Sequence, residues 1–337
     1  MFPRSSPAPC ARSPEAERFD PPLVRRDWIV PVDQPFERFV EEAGDAWPLG
    51  PRLFAGLLAH GALHLDGRPV DPSHPPARVG AGTRATAWGF EREPAAVTVD
   101  RSRVLLDGDG IVAVDKPPWI TTQGSRASQR HSLERRLADL LGEPGLAAVH
   151  RLDRQTSGVV LFARTPAAAA WMERELRAFR VRRLYLAWVA PPPDSERLRV
   201  SGWIRRVPHP ARFAFGLSPR RVPDGRFSET TFRVRLRCER RALLEARPST
   251  GRTHQIRVHL AARGHAVVGD DLYGPPWAPG PPSSAGRTLL HARRIEFRPP
   301  GAVESLVVEA PLPADFPAEG SGRSQEPEPR LRLGPLS

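Results

Sequence analysis

The sequence is poor in cysteine, in lysine and in long apolar runs. Among 337 residues, Cys10 and Cys238 are the only cysteines and Lys116 is the only lysine. Two cysteines so far apart exclude a disulfide framework and a cysteine-based zinc site, and they favour a reducing compartment. No apolar run reaches the length of a membrane-spanning helix, and residues 1–20 lack the apolar core of a secretory signal. We therefore expect a cytoplasmic protein without a membrane partner.

Positive charge, by contrast, is abundant. Lys and Arg number 50 against 38 Asp and Glu, which gives a net charge of +12 and a pI near 11.2. Nearly all of this charge is arginine, whose planar guanidinium binds phosphates and bases in a bidentate manner. Such a balance favours a polyanionic partner such as nucleic acid. A GC-rich genome would also raise the arginine content, so composition does not separate the two causes.

The polar stretch HRLDRQTSG, residues 150–158, is the most informative part of the chain. It lies between two apolar runs, 146–149 and 159–163, which have the length and branched side chains of buried strands. At its centre Asp153 has Arg151 and Arg154 on either side, and their charges favour the ionised carboxylate. A fixed anion on a strand-supported loop is a candidate nucleophile or base. A structural ion pair that closes a turn would give the same pattern.

The end of this stretch has the residue types of a tight loop. Gly158 can adopt a positive φ where the chain enters the second strand. The hydroxyls of Thr156 and Ser157 can accept hydrogen bonds from loop amides. The loop is therefore predicted to have a fixed shape.

The string His-Arg-Leu-Asp-x-x-Thr-Ser-Gly resembles the signature of the RluA-type pseudouridine synthases, and the resemblance extends roughly from residue 100 to residue 316. It implies that Asp153 is the catalytic residue. It also implies that Arg151 fills the space left by a flipped-out base, with Arg154 and Thr156 in the RNA-binding set.

Three further motifs continue the resemblance, and two of them are predicted strands. Residues 182–189, RRLYLAWV, alternate as a strand does. Tyr185 could simply be a core aromatic, but the family's Arg/Lys-x-Tyr motif implies that it stacks on the target uracil, beside Arg183. Near the C-terminal end, residues 289–297 resemble the family's closing strand, and Leu290 is expected to pack beneath the uracil.

The other motif is TGRTHQIRVHL, residues 250–260. Thr253 is predicted to cap a helix whose spacing would place His254 and Arg257 on one face. The resemblance implies that Arg257 pairs with the catalytic Asp, and that Arg252 and His254 bind RNA. A metal site is disfavoured, because His254 and His259 are five residues apart and would diverge on a helix.

The fold class expected is α+β: a catalytic domain at 97–316 with a central mixed or antiparallel sheet flanked by helices and loops. A degenerate S4-like α/β unit is expected at 27–93, with two helices and a hairpin but a charge balance of only +2 between residues 49 and 90. Residues 1–26 and 317–337 are predicted to be disordered tails. In the catalytic part, Trp119 follows Lys116-Pro117-Pro118 where the family usually has glycine, and Phe179 is expected in the core.

The resemblance implies that the chain isomerises uridines in structured RNA to pseudouridine. That chemistry requires a carboxylate, a stacking partner for the detached uracil and a route for the C5 proton, so no metal or other cofactor is expected. It does not choose between attack on the ribose and proton abstraction by Asp153. The S4-like unit favours 23S rRNA over tRNA as substrate, and we expect a monomer without an obligate protein partner. The alternative is a non-catalytic RNA-binding or ribosome-assembly protein that has kept the fold.

Overall fold

The computed structural model describes residues 23–47, 50–59, 61–90, 97–108, 110–124, 131–208, 214–273 and 286–317. Most of the two predicted tails lies outside these ranges. The chain divides into two compact units, Met1–Arg182 with Arg294–Ala310 and Arg183–Arg293 with Pro311–Ser337. The boundary between the two units lies inside the predicted catalytic domain. The units are defined by contacts between residues, whereas the predicted domain was defined by the range of residues that carry the family's motifs. No helix among the described residues is long and apolar enough to cross a membrane.

The N-terminal part of the first unit is a small sheet covered by two helices. Its elements are β1 (Leu23–Ile29), β2 (Gln34–Pro35), α1 (Phe36–Asp45), α2 (Pro51–Ala59), β3 (Leu63–Leu65), β4 (Arg68–Pro69), β5 (Arg78–Val79) and β6 (Arg84–Phe90). The strand order is β1-β6-β3-β4, and β2 pairs with β5. Helix α1 buries Phe36, Phe39 and Ala43, which recur at helical spacing, in one apolar core.

The two helices and the hairpin predicted for this part are confirmed, and its likeness to an S4 domain stays a prediction. Strand β1 was not predicted. It begins at Leu23, so it includes the last four residues, 23–26, of the expected N-terminal tail, and it pairs along its whole length with β6. The pairing, which local composition does not reveal, is what extends this segment.

The remainder of the first unit contains an antiparallel sheet and two helices. Its elements are β7 (Val104–Gly108), β8 (Ile111–Lys116), α3 (Leu133–Leu141), β9 (Ala147–Ala148), β10 (Ser157–Ala163), α4 (Pro166–Arg177) and β18 (Leu306–Glu309). Strand β8 pairs with both β7 and β10, and β9 pairs with the end of β10. Strand β10 is buried at every position, which explains its continuous apolar sequence.

Helix α3 is capped at both ends by residues that its sequence provides, whereas α4 ends at Arg177, two residues before Phe179. The Ser132 hydroxyl accepts a hydrogen bond from the amide of Arg135, and Gly142 ends α3 in the left-handed conformation. Trp171 packs against the core of this unit. The prediction for Phe179 is wrong: it follows the end of α4 with a φ of 58°, which turns its side chain outward, and it is 61% exposed.

The second unit contains a larger antiparallel sheet and one helix. Its elements are β11 (Arg182–Ala190), β12 (Arg197–Val207), β13 (Ala214–Ser218), β14 (Arg226–Arg237), β15 (Ala242–Pro248), α5 (Gln255–Ala262), β16 (Ala266–Val267) and the first half of β17 (Leu290–Phe297). The strand order is β13-β12-β14-β15-β11, with β16 on β11. Burial alternates along β12 and β14, so one face of these strands is covered and the other is open. The predicted α+β class is confirmed.

Candidate active site

The loop that carries Asp153 is held at both ends by β9 and β10. The Val149 amide donates to the Leu161 carbonyl at 3.1 Å, and the Leu161 amide donates to Nε2 of His150 at 3.1 Å. At the other end Gly158 has a φ of 109°, as predicted, and lies opposite Lys116 of β8. The two predicted strands and the connection between them are therefore confirmed.

Buried polar groups hold the loop backbone on either side of the carboxylate. The Thr122 hydroxyl bonds both the amide and the carbonyl of Leu152, each at 3.1 Å. The ammonium of Lys116, which is fully buried, donates to the carbonyls of Pro117 at 2.9 Å and Arg154 at 3.1 Å. The Asp153 carbonyl itself accepts from the Thr156 amide at 3.0 Å. Three consecutive loop residues, 152 to 154, are thus fixed by hydrogen bonds.

Trp119 occupies the position where the family usually has glycine, and it keeps a glycine-like backbone. Its φ is 69°, in the left-handed region that costs a residue with a Cβ about 1–2 kcal/mol. Its carbonyl accepts a hydrogen bond from Nε of Arg154 at 3.1 Å, and its side chain is buried. The burial of the indole and this hydrogen bond offset the backbone strain.

The side chains of the loop differ in exposure. Asp153 and Arg154 are half-buried, whereas Arg151 is exposed. The expected role of the Thr156 hydroxyl as a loop cap is not found. Oγ1 of Thr156 is buried and has no hydrogen-bond partner among the described residues; the backbone amide of Thr156, rather than its hydroxyl, closes the turn onto the Asp153 carbonyl.

The second unit holds the other predicted site residues. Tyr185 lies on β11 opposite Ala246 of β15 and is 8% exposed. Nη2 of Arg183 donates to the Thr250 carbonyl at 3.0 Å. A Cβ at Gly251 would lie 3.0 Å from Nη1 of the same arginine, so glycine permits this approach. Leu290 begins β17 and is buried.

The turn before α5 departs from the prediction. The helix begins at Gln255, so Thr253 is not its N-cap; the N-cap residue is His254, with a left-handed φ of 55°. His254 therefore does not share a helical face with Arg257. The two are brought together by Tyr273 instead, whose hydroxyl lies 2.8 Å from Nδ1 of His254 and whose ring lies beneath the Arg257 guanidinium, 5.1 Å away.

Tyr273 fixes the orientation of the His254 ring. The Tyr273 oxygen accepts a hydrogen bond from the Phe215 amide at 3.0 Å and lies 2.8 Å from Nδ1 of His254. The ring of His254 also lies edge-on to Phe215, with centroids 5.6 Å apart. The His254 ring is thus held by contacts with both Tyr273 and Phe215.

Arg257 forms a buried bidentate ion pair with Asp270. Nε and Nη2 of Arg257 lie 2.7 and 2.8 Å from the two carboxylate oxygens, and the amides of Leu272 and Tyr273 donate to the same carboxylate at 3.0 Å. Burial would raise the pKa of Asp270, but the charge and hydrogen bonds of Arg257 and the two amides outweigh it and lower that pKa. The predicted pairing of Arg257 with Asp153 stays a prediction.

A chain of buried hydrogen bonds joins α5 to β14. Oε1 of Gln255 accepts from the Thr250 hydroxyl at 2.6 Å and from the Arg252 amide at 3.0 Å. Its amide nitrogen donates to the Thr230 hydroxyl at 3.0 Å, and that hydroxyl lies 2.9 Å from Nδ1 of His259. These bonds fix the backbone of residues 250–255, which carry Arg252 and His254.

His259 ends this chain of hydrogen bonds as a neutral imidazole. It is fully buried, and burial lowers its pKa to about 4. The Ser228 hydroxyl donates to the Gly202 carbonyl at 3.0 Å and accepts from Nε2 of His259 at 2.9 Å. Nδ1 therefore remains an acceptor for Thr230, and a protonated ring would lose that bond.

We expect the stability of the protein to fall below pH 6.5 because of His259. Since its folded-state pKa lies below the unfolded value of 6.5, the stabilisation is present above pH 6.5 and is lost as the pH falls toward 4. At pH 5 the loss should be about 2 kcal/mol. Urea unfolding at pH 7 and pH 5 measures it. His259→Gln should lose about 2 kcal/mol less than the parent over this interval, whereas the control His74→Gln, at an exposed histidine, should follow the parent. Equal losses in all three proteins would contradict the assignment.

Arg252 lies beside a second cation. Its Nε donates to the Phe227 carbonyl at 2.9 Å. Burial, and then the charge of Arg226, lower the pKa of Arg252. Two neighbouring guanidinium groups favour the binding of an anion, which is consistent with the predicted contact between Arg252 and RNA.

The structure thus places four predicted residues, Arg151, Asp153, Arg154 and Thr156, in one loop of the first unit. The other six, Arg183, Tyr185, Arg252, His254, Arg257 and Leu290, lie in the second unit. Sequence reasoning missed the roles of Lys116, Asp270 and Tyr273. Signals existed for all three: Lys116 is the only lysine, and the other two belong to GDDLYG, residues 269–274, inside the region of resemblance.

Comparisons with known proteins agree on one family. Residues 110–262 match the family model described as RNA pseudouridylate synthase. The chain is 34% identical over 221 residues to the uncharacterized RNA pseudouridine synthase YhcT of Bacillus subtilis, covering 63% of this chain and 69% of that protein. It is 32% identical over 281 residues to the ribosomal large subunit pseudouridine synthase C of Escherichia coli K12, covering 76% and 83%. Among solved structures, human RNA pseudouridylate synthase domain containing 1 aligns with a TM-score of 0.51 and 27% identity, over 66% of this chain and 87% of that one.

Proposed function

The chain belongs to the RluA-type family of RNA pseudouridine synthases, and from this premise we propose that it modifies the RNA of the large ribosomal subunit, with Asp153 as the essential carboxylate. The enzyme is an isomerase that acts on RNA, like the other members of the family. The specific substrate and the roles of the individual residues are the proposal.

The reaction breaks the bond between N1 of uracil and C1′ of ribose and forms a bond from C5 to C1′. The C5 proton leaves and N1 gains a proton, so the product has the same atoms as the substrate. The protein must supply an anion at the ribose, a surface for the detached uracil and polar groups that assist the proton transfer. In the described part of the chain, Asp153 is the carboxylate that best meets the first requirement.

The fixed backbone of the Asp153 loop is the observation that carries this proposal. The residues immediately before and after Asp153 are bonded to the buried groups of Thr122 and Lys116. A carboxylate that is held by its backbone, yet half-buried rather than sealed in the core, suits a group that must meet substrate with little reorganisation.

The other roles follow the family resemblance. Tyr185 stacks on the uracil, Leu290 packs beneath it, and Arg151 occupies the place of the flipped base, whose extrusion is required for access. Arg154, Thr156, Arg183, Arg252 and His254 contribute to RNA binding.

The ion pair with Asp270 limits what Arg257 can contribute to the reaction. Because Asp270 neutralises its charge, Arg257 contributes oriented N–H donors rather than a net positive charge. A guanidinium has five such donors, and Asp270 takes those of Nε and Nη2 at the distances given above. Tyr273 and Asp270 act on catalysis through Arg257 and His254, as positioning residues.

The names of relatives support the choice of substrate. Several, such as the ribosomal large subunit pseudouridine synthases C of Escherichia coli and D of Xanthomonas campestris, are named for the large ribosomal subunit. We therefore place the target uridine in 23S rRNA rather than in tRNA.

Mapping of pseudouridine in rRNA and tRNA from cells with and without the gene tests this proposal. We expect one or a few positions of 23S rRNA to lose pseudouridine completely, and to regain it with the parent gene but not with Asp153→Asn. Loss confined to tRNA would overturn the substrate. No loss in either RNA would overturn the proposed function and favour a binding role.

A further inference from the structure

The open face of the sheet in the second unit carries an aromatic pair. Trp203 of β12 and Phe227 of β14 are register partners, and their rings meet edge to face with centroids 5.8 Å apart. Phe227 is 45% exposed. Arg221 lies over the Trp203 ring at 5.6 Å. An aromatic pair on the open face of a sheet offers a flat surface on which a planar group can stack.

Arginines lie along the same face of the two strands as this pair. Residues two apart on a strand share a face, which places Arg197, Arg199 and Arg205 on the face of Trp203, and Arg233 on the face of Phe227. Arg205 is two residues from Trp203, whereas Arg197 and Arg233 lie about 20 Å along the strands from the aromatic pair. All four are exposed. Arg199 is paired with Glu229 at 2.7 Å, but Arg197, Arg205 and Arg233 have no carboxylate partner among the residues that the structure describes.

Two of these arginines face each other directly. Arg197 and Arg233 are register partners on β12 and β14. Like charges in directly opposite positions destabilise a sheet. The residue opposite Arg233 on its other side, Glu245 of β15, forms its ion pairs with Arg235 and Arg247, so the repulsion between Arg197 and Arg233 remains. An anion bound between the two guanidinium groups would remove that repulsion, so this pair is suited to a phosphate.

We propose that this aromatic–arginine face, comprising Arg197, Arg199, Trp203, Arg205, Arg221, Phe227 and Arg233, binds a single-stranded segment of the RNA substrate outside the target uridine. The inference rests on the proposed function. A base stacks on Phe227, and the arginines along β12 hold the phosphates. A sheet surface with stacking aromatics between cations suits unpaired nucleotides, because a duplex keeps its bases out of reach.

The face is separate from the part of the sheet that carries Tyr185. Registers align Tyr185 with Ala246 and Phe232, which lie on the opposite side of the sheet from Phe227. The distance along β12 from Arg197 to Arg205 is about 26 Å. That length accommodates several nucleotides and exceeds what one flipped base requires.

The edge strand β13 gives the RNA a way from one side to the other. Strand β13 is the outermost strand at one end of the described sheet. Phe215 of β13 lies against His254, a predicted RNA-binding residue, whereas the neighbouring position, Gly216, is paired with Arg205 on the open face. A strand of five residues at an edge is short enough for an RNA backbone to pass around it.

Binding of a labelled oligouridine of about 12 nucleotides, a length within the range for single-strand sites, tests the proposal by fluorescence anisotropy at several salt concentrations. Phe227→Ala should weaken binding about tenfold through the loss of one stacked base. Arg197→Gln with Arg233→Gln should lower the slope of log affinity against log salt by about 1.4, for two lost phosphate contacts.

Two controls remove the same groups elsewhere. Phe179→Ala deletes another exposed aromatic, and Arg38→Gln with Arg177→Gln deletes two exposed arginines on helices. Both should bind the oligouridine as the parent does. If the face variants bind as the controls do, the proposal is overturned, and the face is left to a protein partner. If charge removal acts but Phe227→Ala does not, stacking is overturned and with it the single-stranded ligand.

The experiment distinguishes a failure of the new site from a failure of the proposed function. The parent protein is assayed in parallel for isomerisation of ribosomal RNA. An active parent with unaffected face variants overturns only the new site. A parent that forms no pseudouridine overturns the proposed function, whatever the binding results show.

Discussion

Asp153→Asn is expected to reduce isomerisation by at least about 10³-fold, because the amide can neither attack the ribose nor accept a proton from it. The fold should be retained, since asparagine has the same shape as aspartate and hydrogen bonds hold the backbone of residues 152 and 154 on either side of it. Release of tritium from RNA labelled at C5 of uridine measures turnover. RNA affinity, measured separately, should remain within a few-fold of the parent.

The control for this experiment is Asp139→Asn, which removes an exposed carboxylate of α3 that is paired with Arg135. It should turn over at the parental rate. Turnover of the Asp153 variant within tenfold of the parent would exclude Asp153 as the essential residue. A loss of turnover together with a loss of the folded state would instead show that the carboxylate has a structural role.

Asp270→Asn is expected to destabilise the protein by about 3–5 kcal/mol. The substitution removes the carboxylate charge of Asp270 from a buried bidentate ion pair with Arg257, and removing one partner of a buried ion pair has this cost. Asp139→Asn, which breaks an exposed ion pair, should lower the free energy of unfolding by well under 1 kcal/mol. Urea unfolding of the three proteins at pH 7 gives both values.

The pH dependence of this difference is a second readout. The folded-state pKa of Asp270 is lowered, so its stabilisation is present above the unfolded carboxyl pKa and is lost as the pH falls through the folded value. The gap between parent and Asp270→Asn should therefore narrow in acid. Replacing both Arg257 and Asp270 with apolar residues should recover much of the stability but not the activity. A gap below about 1 kcal/mol at pH 7 would contradict the ion pair as described.

The local elements of the site were predictable from the sequence because their signals are local. The strands around Asp153 follow from two apolar runs, the start of α3 follows from a serine cap, and the positive φ of Gly158 follows from the residue type. Tyr185 lies on a strand for the same reason: alternation is a property of the segment itself.

The partners of the site residues were not predictable, because they depend on contacts between distant segments. Nothing in residues 250–260 indicates that Arg257 pairs with Asp270, or that His254 adopts a left-handed conformation to reach Tyr273. Helical spacing predicted that α5 begins one residue too early, so Thr253 was predicted as its N-cap in place of His254. Trp119 shows the converse: its backbone follows the family's glycine although its residue type predicts otherwise.

Because the chain has a single lysine, chemical labelling of its amine can measure how often the Asp153 loop opens. The only ε-amine of the chain is sealed beneath that loop and bonded to two carbonyls. A reagent that acylates side-chain amines can therefore modify the folded protein only when the loop opens. With opening fast and labelling slow, the ratio of the observed rate to that of a free lysine gives the equilibrium constant for opening. Bound RNA that closes over the loop would slow this acylation, so one amine can report occupancy of the active site without any engineered probe.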